Sequence, residues 1–567
     1  MIQDSRVQAI ADEIISFFKA PTAVDILSGD ISKGKMPDLS LEYLVQTEHF
    51  AGQVREQIAA LMKERLGHYD QMALEIMDFM ARGNFETGYM PLKSDYYYLD
   101  FAMTPYSCVL SYLPDLGSLP IPNQTVLEQY VRTISDYPRL VRQICDKTME
   151  QARRGIYLPV EETTLVLNML RVNAHTAETS PLRLEAARIA HIPGDHSEEI
   201  NQVRTAIDAG YQIMQELIAF LQSDDYRARQ MYAVGLHQYP AGMAYYRYLV
   251  KYHLTYDIEP ETVNRLGYEE IEKIEKRMEE IRKALGYSCT RAEFQEITKK
   301  MPELYEDSPE KIGDRMNRYL NRIKPVMKDY FGTPCKADCE VARLPIEKEG
   351  TMTFGYYSMP SASQPKGQYL YNGSNHREKN QIGCGALTYH ELLPGHHHQI
   401  CVTNENERIH PFFRTLMITA YAEGWAEYAA ALAGEMGMFE TLLDEYGSLT
   451  MDLFLTTRLV VDTGMNLGIM TREEAAKLLK ANSEWNDTMI FTETNRYSND
   501  IPGQALGYKF GKLMMFKIRE KAKQALGPLF DIREYHDRVL EMGTVPMQVL
   551  EKHIDWYVAQ KKENGRM

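Results

Sequence analysis

The sequence predicts a mainly α fold, large and multi-helical, with a groove and one small β element beside a candidate metal-site helix. Three observations carry this expectation. Apolar residues recur at three- to four-residue steps over most of the chain, the period of a helix with one buried face. One stretch, 341–376, departs from that period and is rich in Gly, Ser, Pro, Thr and Tyr. Directly after it, TYHELLPGHHHQI (388–400) sets a glutamate among histidines in the manner of a zinc-peptidase helix.

Taken in order, the N-terminal MIQDSRVQAIADEIISFFKA carries Asp4, Asp12 and Glu13 and reads as an amphipathic helix, not a secretory signal. Helical patterns follow over 40–82, 123–153 and 197–223. The clearest runs from Pro260 to Leu285. There Val263, Leu266, Ile271, Ile274, Met278, Ile281 and Leu285 form one apolar stripe, Pro260 suits the first turn and Gly286 the stop. A further helix is expected over 308–329. In the β element, TMTFGYYSM and GQYLYNG read as two short strands with a turn at Gln364–Gly367. The edge of GQYLYNG, with Tyr369, is expected either to hold an extended peptide by backbone pairing or to be an ordinary hairpin strand. Beyond the histidines, helical patterns cover 420–437, 441–466, 471–482, 505–525 and 545–562. No fixed-period repeat, low-complexity tract or linker interrupts the chain. A single integrated fold over 1–567 is expected, with a helical part at 1–340 and a metal-site part at 341–567.

Composition narrows the functional classes. The 567 residues are 44% hydrophobic and 25% charged, the balance of a globular protein with a large core. A net charge of −16 leaves no general basic face for nucleic acid. No run of about 18 uncharged apolar residues appears, so no membrane span is expected. Seven cysteines are an odd, sparse set, as in a reduced cytoplasmic protein. Cys335 and Cys339 form a C-x-x-x-C pair, but no second cysteine pair completes a structural zinc site. Nothing in the sequence sets an oligomeric state.

The usual zinc-peptidase signature is H-E-x-x-H, because residues four apart share one helix face about 6 Å apart and two imidazoles there converge on one ion. Here His390 and Glu391 are in place, but Pro394 stands where the second histidine belongs. His396, His397 and His398 come later, and on an unbroken helix His396 would sit roughly 9 Å along the axis from His390. Pro394–Gly395 supplies a way round: proline removes a donor and disrupts the preceding turn, and glycine permits unusual dihedrals. A bulged turn would return His396 to the i+4 place. The alternative is a solvated turn of incidental histidines. Glu423 and Glu427 add weight to the metal reading. They stand four apart on a nearly uncharged, Ala-rich helix, where carboxylates are costly unless paired or metal-bound, unless both edge onto solvent. Glu423, 27 residues after His396, is placed as a third ligand. Glu391 is placed to take a proton from a zinc-activated water, and Glu427 to orient a ligand histidine.

Oxyanion or carboxylate donors are sought in TNRYSNDIPGQALGYKFG (494–511): Arg496, Tyr497 and Tyr508 are the candidates, each of which could instead be structural. His397 and Tyr369 stand with Glu427 as candidates to support a ligand or touch substrate.

HELLPGHHHQ, EGWAEY and RYSNDIPGQALGYKFG, with YPAGMAYYRYLVKYHLTYDIEPETVNRLGYEEI (239–271) and RLVVDTGMNLG (458–468), closely resemble the bacterial family called domain of unknown function 885, over roughly residues 40–555. That family is similar to zinc metallopeptidases and distantly to carboxypeptidase Taq; dipeptidyl peptidase III also delays its second histidine. The resemblance implies one zinc per chain, with His390, His396 and Glu423 as ligands and Glu391 as base. One departure stands out: the family pattern D-T-G-x-H has Asn466 in the histidine position. Asp462 and Arg458 remain, as an expected structural ion pair. The function expected is a zinc metallopeptidase acting on small or extended peptides. The alternatives are a zinc hydrolase of another amide or ester, and a non-catalytic helical binding protein with a vestigial metal motif, against which the retained Glu391 argues.

Overall fold

The computed structural model describes residues 1–17, 30–83, 93–101, 110, 112–349, 355–361 and 364–564. Among these the architecture is mainly α, with one three-stranded sheet. The first helix runs Ser5–Phe17 and buries Val7, Ile10, Ala11 and Ile14. Several expected helices are divided by their own sequences. The 40–82 stretch becomes Leu41–Leu61, capped by the Ser40 side chain, and His68–Arg82. The 123–153 stretch becomes Gln124–Ser135 and Tyr137–Arg153, because Pro138 cannot donate to a preceding turn and instead opens the second helix. The 308–329 stretch ends as Pro309–Ile323, a 3-10 turn at Lys324–Val326 and a short helix Met327–Tyr330. Ser197–Gln222, Pro260–Ala284, Arg472–Ala481 and Met547–Asn564 are continuous.

One hydrophobic core cluster takes residues from Val7 to Ile554, so both ends of the chain meet in it. Two helix pairs frame the site. The Glu423 helix (Thr419–Glu435) lies against the Tyr508 helix (Leu506–Leu526) at backbone contact: a Cβ on Gly511 would fall 2.0 Å from the Ala420 carbonyl oxygen, and one on Gly424 2.5 Å from the Gly511 Cα. The Ala and Gly content of 420–434 is what permits this approach. The Arg458 helix (Leu442–Asn466), opened by a Thr441–Asp444 capping box, packs along Pro260–Ala284.

The β element differs from its expectation. It has three strands, β1 (Cys339–Arg343), β2 (Gly355–Ser358) and β3 (Gly367–Tyr371), in the order β1-β3-β2. β3 pairs parallel with β1 and antiparallel with β2. GQYLY is therefore the central strand with both edges used, and it offers none to a peptide. The outer edges belong to β1 and β2. Residues 351–354 of the expected first strand lie outside the described residues. The hairpin connection is pinned earlier than expected, Ser361 N donating to the Gln364 oxygen at 2.7 Å. Among the described residues no helix is long and apolar enough to cross a membrane.

Candidate metal centre

The HELLPGHHH segment forms two helices rather than one bulged helix. The His390 helix (Cys384–Glu391) stops, and the His396 helix (His396–Glu405) begins after a four-residue break, 392–395. Leu393–Pro394 is a cis peptide bond. Gly395 N donates to the Tyr389 oxygen at 3.0 Å, and a Cβ on Gly395 would lie 1.8 Å from the His390 carbonyl oxygen, so only glycine fits there. Trp425 Nε1 donates to the Pro394 oxygen at 3.0 Å, tying the break to the Glu423 helix.

The break brings the two imidazoles together, their ring centroids 4.7 Å apart and nearly perpendicular. His390 Nε2 and His396 Nε2 lie 3.6 and 3.4 Å from the same oxygen, Glu423 Oε2. Tetrahedral zinc with bonds of about 2.0–2.2 Å holds its ligand atoms roughly 3.3–3.6 Å apart, and both histidine-to-Glu423 spacings match that range. Glu391 joins them: ligand atoms of His390, Glu391 and His396 lie within 4.8 Å of one another, the one such group among the described residues. Glu427 Oε1 lies 2.8 Å from His390 Nδ1, which leaves Nε2 to face the gap. Tyr508 donates a hydrogen bond to Glu423.

Electrostatics reflect three buried carboxylates around two imidazoles. Burial alone would lower the His390 pKa, but the Glu427 hydrogen bond, with Glu391 and Glu423, carries it up to about 9. Burial opposes ionisation of Glu423, yet His396, His390 and Tyr508 hold it down to about 2. Glu391 is pushed up, chiefly by burial, with the two imidazoles opposing. A proton on His390 offsets part of this negative charge, a role that a dication among these groups would take over.

These groups form the floor of a cavity of about 920 Å³. Its walls are mostly apolar, with Met451, Phe454 and Leu455 from the Arg458 helix, Leu387 and Ile400 from the two histidine helices, and Leu416 and Met417. β2 borders it through Tyr356 and Tyr357. Arg414, Arg458 and Lys512 supply its positive charge. Lys512 holds Asp452 at 3.0 Å, as does Lys509, a network whose partners lie some 60 residues apart in sequence and gave no local signal.

Other expected site residues fall elsewhere. Tyr497 is fully buried behind the cavity, its hydroxyl accepting from Arg458 Nε at 2.7 Å and donating to Glu493. Arg496, in a π-helical turn (Arg496–Asp500), pairs with Glu493 at 3.3 Å and donates to Gln504 at 2.7 Å, and neither residue lines the cavity. Tyr369 is buried in central β3, where burial and nearby Glu391 keep its hydroxyl protonated. His397 faces the sheet: Nε2 donates to the Ala337 oxygen and Nδ1 accepts from Tyr357, each at 3.0 Å. The expected Arg458–Asp462 ion pair does not form. Arg458 pairs with Glu493 at 3.1 Å, while Asp462 accepts from Tyr246 at 2.6 Å and from Gly503 N at 2.9 Å. Asn466 is fully buried; it accepts from Leu236 N and donates to the Tyr497 oxygen, each at 2.9 Å, and does not line the cavity.

Two solved structures, each described as a "putative lipoprotein", are similar over nearly their full length. The one from Colwellia psychrerythraea shares 25% identity at a TM-score of 0.83, over 98% of this chain and 99% of its own. The one from Shewanella oneidensis, of unknown function, shares 15% at a TM-score of 0.74, over 96% and 98%, and speaks to the fold alone. No curated protein matches. The family profile described as "Bacterial protein of unknown function (DUF885)" matches residues 22–554, and the chain belongs to that family.

Proposed function

We propose that this protein is a zinc-dependent hydrolase, a metallopeptidase that cleaves short or extended peptides. The observation that carries the reading is the convergence of His390 Nε2 and His396 Nε2 on Glu423 Oε2 at 3.6 and 3.4 Å, with the Glu391 carboxylate in the same cluster. His390, His396 and Glu423 would hold one zinc ion per chain. When bound there, zinc supplies Lewis acidity, polarising a carbonyl and bringing the pKa of a coordinated water toward about 7. Glu391, not needed as a fourth ligand and lining the cavity, accepts the water's proton and returns it to the leaving nitrogen. Its buried setting raises its pKa, the direction that favours taking up a proton. Tyr508 lines the cavity beside Glu423 and would serve a developing oxyanion only by turning its one proton away from that carboxylate. The free edge of β2 suits an extended backbone laid along the cavity.

The test is hydrolysis of a mixed pool of peptides and N-acyl amino acids by the zinc-loaded protein, with products identified by mass spectrometry. Peptide products are expected, and Glu391→Gln should keep its zinc while losing about 10²–10⁴ in rate. Unchanged turnover by Glu391→Gln would remove the base and the mechanism with it. Products from N-acyl amino acids alone would favour the non-peptide amide reading.

The cytoplasm is the proposed location, because the six described cysteines, Cys145, Cys289, Cys335, Cys339, Cys384 and Cys401, are all free thiols. Cys108 lies outside the described residues. The lipoprotein description of the similar structures points the other way, and recovery of the native protein in a membrane fraction would overturn the cytoplasmic assignment.

A further inference from the structure

Arg458 lies in the cavity wall with unspent binding capacity. Its Nε donates to Tyr497 at 2.7 Å and its Nη2 to Glu493 at 3.1 Å. Nη1 has no partner among the described residues, and the residue borders the cavity. The guanidinium is held rigidly, its carbon 4.5 Å from the Phe454 ring centroid and 4.9 Å from that of Tyr508. Arg458 shares Glu493 with Arg496, so it does not hold that carboxylate alone. A fixed, largely desolvated guanidinium that lines this mostly apolar cavity and keeps an unused N–H can take a carboxylate.

Position gives the carboxylate a meaning. Tyr508 stacks on Arg458 and hydrogen-bonds Glu423, so one tyrosine side chain separates the guanidinium from a candidate metal ligand. An extended peptide advances roughly 3.5 Å per residue, so the span of one tyrosine side chain takes only a few residues between scissile carbonyl and chain end. Met451, Leu455 and Arg458 follow one another at helical spacing on the cavity face of one helix, so the side chain next to the carboxylate meets an apolar surface.

We propose that Arg458 anchors the free C-terminal carboxylate of a short peptide whose last side chain is apolar, so that the enzyme trims a short piece from the C-terminal end. This deepens the peptidase reading and rests on it for the cleavage step, but not for the binding step. The test is calorimetric binding of N-acetyl-phenylalanine and N-acetyl-phenylalaninamide to the zinc-loaded full chain. The wild type should bind the acid at least about ten-fold tighter than the amide. Arg458→Gln should lose that preference, with amide affinity and zinc content unchanged, and Arg458→Lys should keep part of it. Equal binding of acid and amide by the wild type overturns the proposal without needing a folded variant. A preference that survives Arg458→Gln overturns it too, since the carboxylate would then sit on the metal. Failure of the wild type to cleave any peptide would sink the peptidase reading while the acid–amide difference stood or fell by itself.

Discussion

Glu427 shows how much one buried carboxylate can decide. Its contact of 2.8 Å with His390 Nδ1 fixes which imidazole nitrogen faces the gap. Glu427→Gln should lower zinc affinity by about 10–100-fold with the fold intact, measured by competition with a chelating dye. Affinity within two-fold of wild type would mean that the Glu427 contact does not orient His390 for metal. At this scale the sequence was legible where partners are near in the chain or on one helix face. His390, Glu391 and His396 lie within seven positions, and Glu423 and Glu427 one helical turn apart. It was not legible for Arg458. The i,i+4 spacing favoured Asp462, but the helix interior is buried, and tertiary packing gave Arg458 to Glu493, 35 positions on, and Asp462 to Tyr246. The same packing turns Arg496 and Tyr497 away from the cavity, which no local pattern announced.

Among the elements, the 392–395 break is the part on which the site depends. A proline and a glycine announce an interruption, and the expected distortion lies where they stand. Its extent, two separate helices instead of one bulge, depends on contacts such as Trp425 to the Pro394 oxygen that lie outside the motif. Gly395→Ala forces a methyl group to 1.8 Å from the His390 carbonyl oxygen, and relief requires moving His390. It should cost about 3 kcal/mol or more in stability and weaken zinc binding, seen in melting curves with and without zinc. Gly52→Ala is the control. That glycine lies exposed within Leu41–Leu61 with nothing within 4 Å of a new Cβ, and the change should stabilise by about 0.5–1 kcal/mol. A harmless Gly395→Ala would show that the break tolerates other backbones. The β element was legible as strand but not as topology. β1 follows a short connection and carries a mixed pattern, and only the pairing shows that GQYLY lies between two neighbours.

For the whole molecule, helical periodicity and composition were enough to give a mainly α fold, because amphipathic stripes record burial directly. How helices pair was hidden, since contacts such as Gly424 on Gly511 join segments about 90 residues apart. Global stability should respond to acid through buried histidines. Burial lowers His253 and His536 from 6.5 to about 3. Between those values the unfolded chain binds the extra protons, so stability falls as pH drops, by roughly 1.4 kcal/mol per histidine per pH unit. Melting temperature should fall steeply from pH 6.5 to 4, and His253→Leu should flatten that slope; a profile flat across this window would contradict buried neutral histidines. The central claim is that two histidines and a distant glutamate, drawn together by the packing of the whole chain, enclose one cation. Elemental analysis of the full-length protein after zinc loading and exhaustive buffer exchange tests it most directly. One zinc per chain, lost in His390→Ala and His396→Ala, is the expected result; less than a tenth of an equivalent in the folded wild type, or full retention in both variants, would contradict it.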